Sequence, residues 1–333
     1  MAAARNWVSS TTGCHDRSMS DTQYALGLDV GGTKIAGAVV GFPCGEIIAK
    51  RVIPTLPKRN AKEILNDAVA LADALAKDVC SRGISIQGVG IAVAELVDAS
   101  GNITSSQTIP WRGVPIGDAF SHLGPAMVES DVRAGALAEA VLGAGKHFKL
   151  FTYVTVGTGI SYCLMQEGVP FAGARGNALI LASAALTTTC TKCGALVNEI
   201  LEEVGSGPAL VKRYNERVHA NVAVRAEDVL ARASTGDAMA TEVVCEGGRA
   251  LGNSVGFLIN VLDPEAVVVG GGLGLAGGLY WNAFETATRE HIWSDTAHDI
   301  LILRAALGPD SGLIGAAAAG WNRVKGGRNQ AYE

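Results

Sequence analysis

The chain has 333 residues, of which 48% are hydrophobic, 18% are charged and 42 are glycine. This charge is too low and this apolar content too high for a disordered chain, and the glycines follow no three-residue period of the collagen kind. The formal net charge of −5 provides no basic surface for nucleic acid. The length predicts about two domains with an ample buried core.

The N-terminal segment and the cysteines indicate the cellular compartment of the protein. Residues 1–20 are rich in Ser, Thr and Ala, and we expect a flexible leader there, without a signal peptide and with an alternative start at Met19. No stretch is long and apolar enough to predict a membrane span. The seven cysteines are scattered, with one close pair at Cys190 and Cys193. This usage favours a reducing cytoplasm, where cysteines seldom form disulfides.

In chain order, the first half predicts three strands, a helix and a further strand. From residue 24, YALGLDVGGTKIAGAVV places two apolar strands around a glycine turn, and EIIAKRVIPT continues as a third strand. Residues 61–81 carry apolar side chains at helical spacing. IQGVGIAVAELVD then returns as a strand, and AMVES predicts another just before Asp131.

The second half repeats this order. A helix is predicted over residues 134–142, and LFTYVTVGTGISYCLMQEG predicts a strand, a glycine turn and a strand. GNSVGFLINVLDPEAVVVGGGL predicts a helix, a strand and a glycine cluster. The shared order predicts two related α/β lobes, over residues 21–130 and 131–323, with a ligand cleft between them. We expect the last helix to pack back on the first lobe.

Three glycine turns at strand ends are candidate phosphate cradles. Adjacent glycines let backbone N–H groups approach an anion without obstruction by a Cβ atom. In the first turn Lys34 can add a charge, and Asp29 can hold Mg²⁺. A plain β-turn is the alternative at any one of them, and neither the Walker spacing nor the dinucleotide fingerprint is present. The third turn precedes a predicted helix whose N-terminus would suit an anion. The candidate residues are Gly31, Gly32 and Thr33 in the first turn, Gly157, Thr158 and Gly159 in the second, and Gly270, Gly271 and Gly272 in the third.

These turns, in this order, resemble the sugar-kinase, actin and Hsp70 ATPase fold, and the chain is most similar to the ROK family of sugar kinases (repressor, open reading frame, kinase). The segments that carry the resemblance are LDVGGTKIAGAVV, VESDVRAGALAEAVLGAG, VTVGTGISYCLMQEGVPFAGARGNA, DPEAVVVGGGL and GLIGAAAAG. They span residues 24–321. The resemblance implies an α/β, two-lobed actin-like ATPase (ribonuclease H-like) fold, with ATP and Mg²⁺ in the interdomain cleft and phosphoryl transfer to a sugar hydroxyl.

The resemblance also implies roles for single residues. Asp131 matches the aspartate that accepts the proton of the attacking hydroxyl, a role that phosphoryl transfer requires. A helix cap is the alternative for Asp131. The expected acceptor-site residues are Ser130, Thr108, Asn177, Glu202 and Glu95. A solvated helix face is the alternative for Glu202, and an exposed strand end is the alternative for Glu95.

The chain departs from the family pattern at the acceptor and zinc segments. Ser130 stands where the family usually has Asn, Ile180 where it has a Glu that binds a sugar hydroxyl, and Ser183 where it has a His that binds sugar and structural zinc. In CTKCGALVNEILEEVGSG one cysteine position is lost and the spacing is stretched. Only Cys190 and Cys193 remain of the motif, too few for a four-ligand site, so we do not expect zinc.

Losing three polar groups predicts an acceptor other than plain glucose, because a site that hydrogen-bonds each hydroxyl discriminates strongly. Family relatives in antibiotic pathways phosphorylate aminosugars or C7-cyclitols, and we expect such a ring, phosphorylated at a primary hydroxyl. The alternatives are a glucokinase or N-acetylmannosamine kinase of central metabolism and a non-catalytic sugar-binding or regulatory protein.

Family repressors carry a DNA-binding domain before the first turn, where this chain has only residues 1–23, which are not basic. We therefore expect a small-molecule substrate and no nucleic-acid or membrane partner. Relatives are often dimers or tetramers, so a homo-oligomer is an expectation.

Overall fold

The computed structural model describes residues 22–56, 58–184, 188–189, 193–197 and 199–325. The predicted leader, the alternative start at Met19 and Cys190 lie outside these residues.

The first lobe is built on a five-stranded sheet in the order β3-β2-β1-β4-β5. Its strands are β1 (Gln23–Val30), β2 (Lys34–Phe42), β3 (Glu46–Pro54), β4 (Ile86–Val93) and β5 (Ala126–Ser130). β1 pairs with β2, and β2 with β3, in antiparallel fashion, whereas β4 runs parallel to β1 and β5 parallel to β4. Cys44, in the turn between β2 and β3, takes part in a disulfide, contrary to the expectation for the cysteines.

Helix α1 (Ala61–Cys80) packs against β1, β2 and β3 of this sheet. Asn60 begins it with a capping box, in which the Asn60 side chain accepts from the Glu63 amide and Glu63 accepts from the Asn60 amide. Its buried residues recur every three or four positions and include Ile64, Leu71 and Leu75. Each buried leucine or isoleucine of this kind contributes about 1.5–3 kcal/mol. A 3-10 helix (Ile116–Leu123) precedes β5.

The second lobe repeats the arrangement with a five-stranded sheet in the order β12-β11-β6-β7-β8. Its strands are β6 (Leu150–Val156), β7 (Ile160–Gln166), β8 (Val169–Pro170), β11 (Ala266–Gly270) and β12 (Leu301–Arg304). Here too three antiparallel strands are followed by two parallel ones. A separate two-stranded pair consists of β9 (Thr188–Thr189) and β10 (Leu196–Val197). The common strand order confirms the predicted two-lobed α/β fold.

The described part of the second lobe also contains the helices α3 (Glu202–Gly205), α4 (Gly207–Arg217), α5 (Ala226–Ser234), α6 (Ala238–Leu262) and α7 (Gly278–Glu290). Small residues let α6 and α7 approach closely, since a Cβ atom on Gly252 would lie 2.5 Å from the Phe284 carbonyl oxygen. A 3-10 turn (Asp295–Ala297) leads into β12. Within the described ranges, no helix combines the length and apolar character needed to cross a membrane.

Two helices occupy the space between the sheets. α2 (Asp131–Val141) packs mainly against helix α8 (Ser311–Lys325) and, among the strands, most extensively against β7 of the second sheet. α8, which follows a 3-10 turn (Gly308–Asp310), packs against β4 and β1 of the first sheet and against α2. Apolar residues of both sheets and both helices form one continuous cluster there. The start of α2 is therefore held relative to both lobes.

Candidate active site

A cleft of about 350 Å³ lies where the end of β1, the start of α2, the turn after β11 and the start of α8 meet. The residues that the sequence placed in this cleft and that line it are Asp29, Lys34, Asp131, Gly271 and Gly272. Those that sequence reasoning missed are Val132, Gly135, Tyr153, Thr155, Leu275, Gly308, Pro309, Ser311 and Gly312. A larger groove of about 580 Å³ between β3 and α1 is lined by none of the candidate residues. The smaller cleft is therefore the candidate site.

Asp131 is the first residue of α2 and faces the cleft. Ser130 is the cap residue of this helix but makes no side-chain capping bond, and the Val132 amide donates to Asp131 Oδ1 at 2.7 Å. Asp131 is exposed to solvent, but protein atoms crowd around its carboxylate in the cleft and exclude part of the surrounding water. This burial, together with the negative charge of Asp29, raises the pKa of Asp131 to about 6. A carboxylate with such a pKa can accept a proton at neutral pH and is a stronger base than an ordinary aspartate.

Asp29 stands near the end of β1 and lines the cleft together with Asp131. Burial raises the pKa of Asp29, Lys34 counteracts that rise, and Asp310 adds to it. A Cβ atom on Gly312 would lie 3.3 Å from Asp29 Oδ2, which places this carboxylate beside the start of α8. Among the described residues, no three His, Cys, Asp or Glu side chains cluster to form a metal cage. The arrangement fits a Mg²⁺ ion that is held by one carboxylate and takes its other ligands from phosphate and water.

Thr55 stabilises the first glycine turn through two hydrogen bonds. The Thr55 hydroxyl donates to the Gly31 carbonyl oxygen at 2.6 Å, and the Thr55 amide donates to the Thr33 carbonyl oxygen at 3.1 Å. A Cβ atom on Gly32 would lie 2.7 Å from Thr108 Cγ2, so Thr108 lies directly over this turn. Thr33 itself is exposed.

The second and third glycine turns lie next to each other in the second lobe. A Cβ atom on Gly157 would lie 3.9 Å from the Gly272 amide nitrogen, whereas one on Gly271 would lie 2.3 Å from the Val156 carbonyl oxygen. Gly271 also has a φ of +81°, so glycine is required there. A Cβ atom on Gly272 would meet no atom of the described chain within 4 Å.

Two placements around these turns differ from the expectation. The prediction placed the N-terminus of a helix at the third turn, but α7 begins only at Gly278, so the turn itself lines the cleft. Gly270 lies beneath it, since its Cβ atom would come within 2.6 Å of Tyr153 Oη. In the second turn the Gly157 amide donates to the Gly159 carbonyl oxygen at 2.9 Å, and the Thr158 side chain is exposed.

Glu95 is buried, with 6% of its surface exposed, and is not the exposed strand end of the alternative hypothesis. Its carboxylate accepts hydrogen bonds from the Ser105 hydroxyl and from the amides of Gln107, Thr108 and Ile109. Burial acts to raise the pKa of Glu95, but these hydrogen bonds outweigh it and hold the pKa below its usual value. Glu95 therefore shapes the loop that carries Thr108 over the first turn, and its negative charge also acts on Asp131.

Glu202, the first residue of α3, is half-buried and does not lie on a solvated helix face. Its Oε2 accepts a hydrogen bond from the Ile160 amide at 3.0 Å, and a Cβ atom on Gly159 would lie 2.8 Å from the same oxygen. Glu202 thus supports the second glycine turn, and a contact with the acceptor remains a prediction.

The structure also describes the remaining acceptor-side candidates and the positions that depart from the family pattern. Ser130 is buried and donates its amide to Glu129 Oε1 at 2.8 Å. Asn177, Ile180 and Ser183 are exposed in the segment between β8 and β9. Cys193 is exposed as well.

Sequence reasoning also missed the buried residues Tyr153, Arg133 and Glu139. Burial raises the pKa of Tyr153 to about 12, and its hydroxyl bonds Ser311 and Thr155 in the cleft wall. Arg133 and Glu139 are charged residues within the buried run of α2, which otherwise consists of small residues and one leucine. That contrast is the signal that could have identified them.

Glu139 connects the far end of α2 to the loop before α8. Its Oε2 accepts from the amides of Ala144 at 2.8 Å and Ala306 at 3.0 Å, and its Oε1 accepts from the Leu307 amide at 3.0 Å. Since Gly308 follows directly and lines the cleft, Glu139 anchors that wall of the site.

Comparisons with known proteins agree with this geometry. The sequence profile described as "ROK family" matches residues 25–321. A glucokinase of Halalkalibacterium halodurans is 28% identical over 91% of this chain and 95% of its own length. A kanosamine kinase of Amycolatopsis mediterranei is 28% identical over 75% of this chain and 81% of its own length.

Solved structures extend the same likeness to the fold. The crystal structure of a ROK family glucokinase from Streptomyces griseus, in complex with glucose and AMPPNP, superimposes with a TM-score of 0.76 at 26% identity and covers 90% of this chain and 99% of that one. Because the family profile spans nearly the whole chain, this protein belongs to the ROK family and is a phosphotransferase with an alcohol group as acceptor.

Proposed function

We propose that the protein is an ATP-dependent sugar kinase whose acceptor is a modified hexose-like ring, an aminosugar or a C7-cyclitol, phosphorylated at a primary hydroxyl. The observation that carries the kinase reaction is the convergence of Asp131, Asp29 and the third glycine turn on one cleft. The observation that carries the acceptor class is the exposed Ile180 and Ser183, where the family pattern has Glu and His.

In this mechanism Asp131 takes the proton of the attacking hydroxyl, whose oxygen forms a bond to the γ-phosphorus while the bond to the β-phosphate oxygen breaks. ADP leaves with the electron pair of that bond. Backbone amides of the glycine turns bind phosphate oxygens, and Lys34 adds positive charge beside them. Mg²⁺, when bound with the nucleotide, supplies charge neutralisation at the phosphates, and Asp29 would hold it. Such a site needs little covalent chemistry from the protein, because positioning and charge stabilisation dominate phosphoryl transfer.

The acceptor side supports a ring other than glucose. Glu95 already accepts four hydrogen bonds from its own loop, and Glu202 accepts one from Ile160. Ile180 presents an apolar side chain that is 41% exposed. A pocket with fewer polar groups penalises a missing or replaced hydroxyl less, because fewer buried polar groups are left unpaired.

The test is an acceptor screen with ATP and Mg²⁺ over glucose, N-acetylmannosamine, kanosamine and a valiolone-type cyclitol, with the product identified by ³¹P and ¹H NMR. We expect the highest kcat/KM on kanosamine or the cyclitol and phosphate on the primary carbon. Highest kcat/KM on glucose or N-acetylmannosamine would instead identify a kinase of central metabolism, which the glucokinase relatives also support. Absence of acceptor-dependent ATP turnover on every ring would favour a non-catalytic sugar-binding protein.

A pair of substitutions examines the acceptor segment directly. I180E together with S183H restores the family pattern, and we expect it to raise kcat/KM for glucose relative to kanosamine. I180Q together with S183N is the matched control, since it adds polar groups of similar size without the carboxylate and imidazole. An equal shift in both double variants would show that the two positions do not determine the acceptor class.

A further inference from the structure

Arg133 forms a bridge between the two lobes on the acceptor side of the site. It lies in the first turn of α2, two residues after Asp131, and its side chain is 7% exposed. Its Nη2 donates to the Val97 carbonyl oxygen at 2.6 Å, and its Nη1 lies 3.3 Å from the Gly176 carbonyl oxygen. Val97 belongs to the first lobe, just after Glu95, and Gly176 belongs to the second lobe, beside Asn177.

The two loops also touch directly where the guanidinium joins them. A Cβ atom on Gly176 would lie 2.0 Å from the Val97 carbonyl oxygen and 2.6 Å from Asp98 Cα, and Gly176 has a φ of +75°. Backbone therefore packs on backbone at this point, and two carbonyl groups face one buried cation. Glu129 accepts from Arg133 Nε and from the Ser130 amide, so the cation is neutralised next to the candidate base.

We propose that Arg133 is a positioning residue that holds the loop after β4 and the segment after β8 together as the walls of the acceptor pocket. The planar guanidinium suits this role because its rigid fork can donate to the carboxylate and to two carbonyls in different directions at once. A lysine would keep the charge but has a single nitrogen, which cannot span the same three acceptors. The inference rests on the proposed function only in assigning these walls to the acceptor.

The test compares R133K with R289K. Arg289 is a matched control because it also bonds a carboxylate four residues earlier, Glu285, and two carbonyls, those of His298 and Ile300, but on α7 and outside the cleft lining. R133K keeps Glu129 neutralised, so the variant avoids leaving a buried charge unpaired. Thermal unfolding of both variants first establishes that each is folded.

Amide hydrogen exchange then measures the stability of the two loops in the absence of substrate. The Asp98 amide donates to the Asn102 carbonyl oxygen at 2.9 Å, and the Ala178 amide donates to the Ala172 carbonyl oxygen at 3.1 Å. In R133K we expect peptides with these two amides to exchange at least about tenfold faster, with α7 unchanged. R289K should accelerate exchange only around residues 285–300. Unchanged exchange at both loops in R133K overturns the proposal.

Kinetics with glucose and kanosamine as probe acceptors give the second readout. We expect R133K to raise the acceptor KM about tenfold and to leave the KM for ATP within about twofold, because only the acceptor walls are loosened. Equal rises in both KM values would overturn the acceptor-side role and indicate general loosening. If the unmodified protein phosphorylates neither ring, the valiolone-type cyclitol becomes the probe acceptor. If it phosphorylates no ring at all, the proposed function fails, whereas the exchange experiment still decides the role of Arg133.

Discussion

The raised pKa of Asp131 predicts an acidic limb in the rate of phosphoryl transfer. Burial and the Asp29 charge move this pKa from 3.8 to about 6. Because the base must be ionised, about nine-tenths of the molecules are active at pH 7 and about one-tenth at pH 5. We therefore expect about a tenfold fall in rate over this range. An aspartate with the ordinary pKa would keep about nine-tenths of its activity at pH 5.

The measurement is the initial rate at pH 5–8 with ATP and acceptor both far below their KM values, so that the profile reports groups of the free enzyme. Asp131→Asn should lower kcat by about 10²–10⁴-fold, since it removes the proton acceptor, while ATP binding measured by calorimetry persists. Asp118→Asn, at an exposed aspartate of the 3-10 helix before β5, is the control and should keep both rate and profile. A profile that stays flat to pH 5 in the unmodified protein, or near-normal turnover in Asp131→Asn, would refute the assignment of Asp131 as the base.

Three further predictions concern stability and the nucleotide turn. Because the pKa of Asp131 is raised in the folded state, the protein loses stability as pH rises through about 6. Asp131→Asn removes this loss, so it should raise the free energy of unfolding at pH 7–8 and not at pH 4. Urea titration at the two pH values measures this difference. The full pKa shift of Asp131 corresponds to a change of about 3 kcal/mol in the free energy of unfolding. Because the carboxylate is open to solvent in the cleft, we expect Asp131→Asn to recover about 1 kcal/mol of it. Glu139→Gln should cost about 1–3 kcal/mol in urea unfolding, since each Glu139 oxygen accepts from at least one amide and the new NH₂ group must face one of these donors. Gly272→Ala should leave Tm unchanged but raise the KM for ATP, because the new Cβ atom meets no described atom yet enters the cleft. Gly90→Ala is the contrasting variant. It should be strongly destabilising, because a Cβ atom on Gly90 would lie 1.7 Å from the Ala316 carbonyl oxygen. A lowered Tm in Gly272→Ala would contradict the open space, and a normal Tm in Gly90→Ala would contradict the close packing of α8 on β4.

Sequence periodicity predicted the strands and helices whose packing is local. β1 and β2 follow from two apolar runs around a glycine turn, and their antiparallel register pairs Val30 with Ile35 across that turn. α1 follows from its apolar spacing, and the observed helix ends at Cys80, one residue before the predicted end. α2 begins at Asp131, three residues earlier than predicted, with Ser130 as its cap residue.

The site was less predictable, because side-chain partners there are remote in sequence. The candidate pocket residue Glu95 binds a loop 10–14 residues away, and no spacing rule indicates that its carboxylate points into that loop. Arg133 bonds carbonyls 36 and 43 residues away, one in each lobe. Backbone carbonyls carry no sequence signature, so only the fold reveals these two of the three acceptors of Arg133.

The composition of α2 follows from what the helix must position. Its small residues let it pack closely against α8, and a Cβ atom on Gly315 would lie 1.8 Å from the Ala134 carbonyl oxygen. Such close packing leaves the helix little freedom to slide or tilt. Arg133 then bonds the loop after β4 and the segment after β8 at one end, and Glu139 bonds the loop before α8 at the other. Asp131 is thus held by apolar packing along the helix and by charged hydrogen bonds towards both walls, which is the preorganisation that a base in phosphoryl transfer needs.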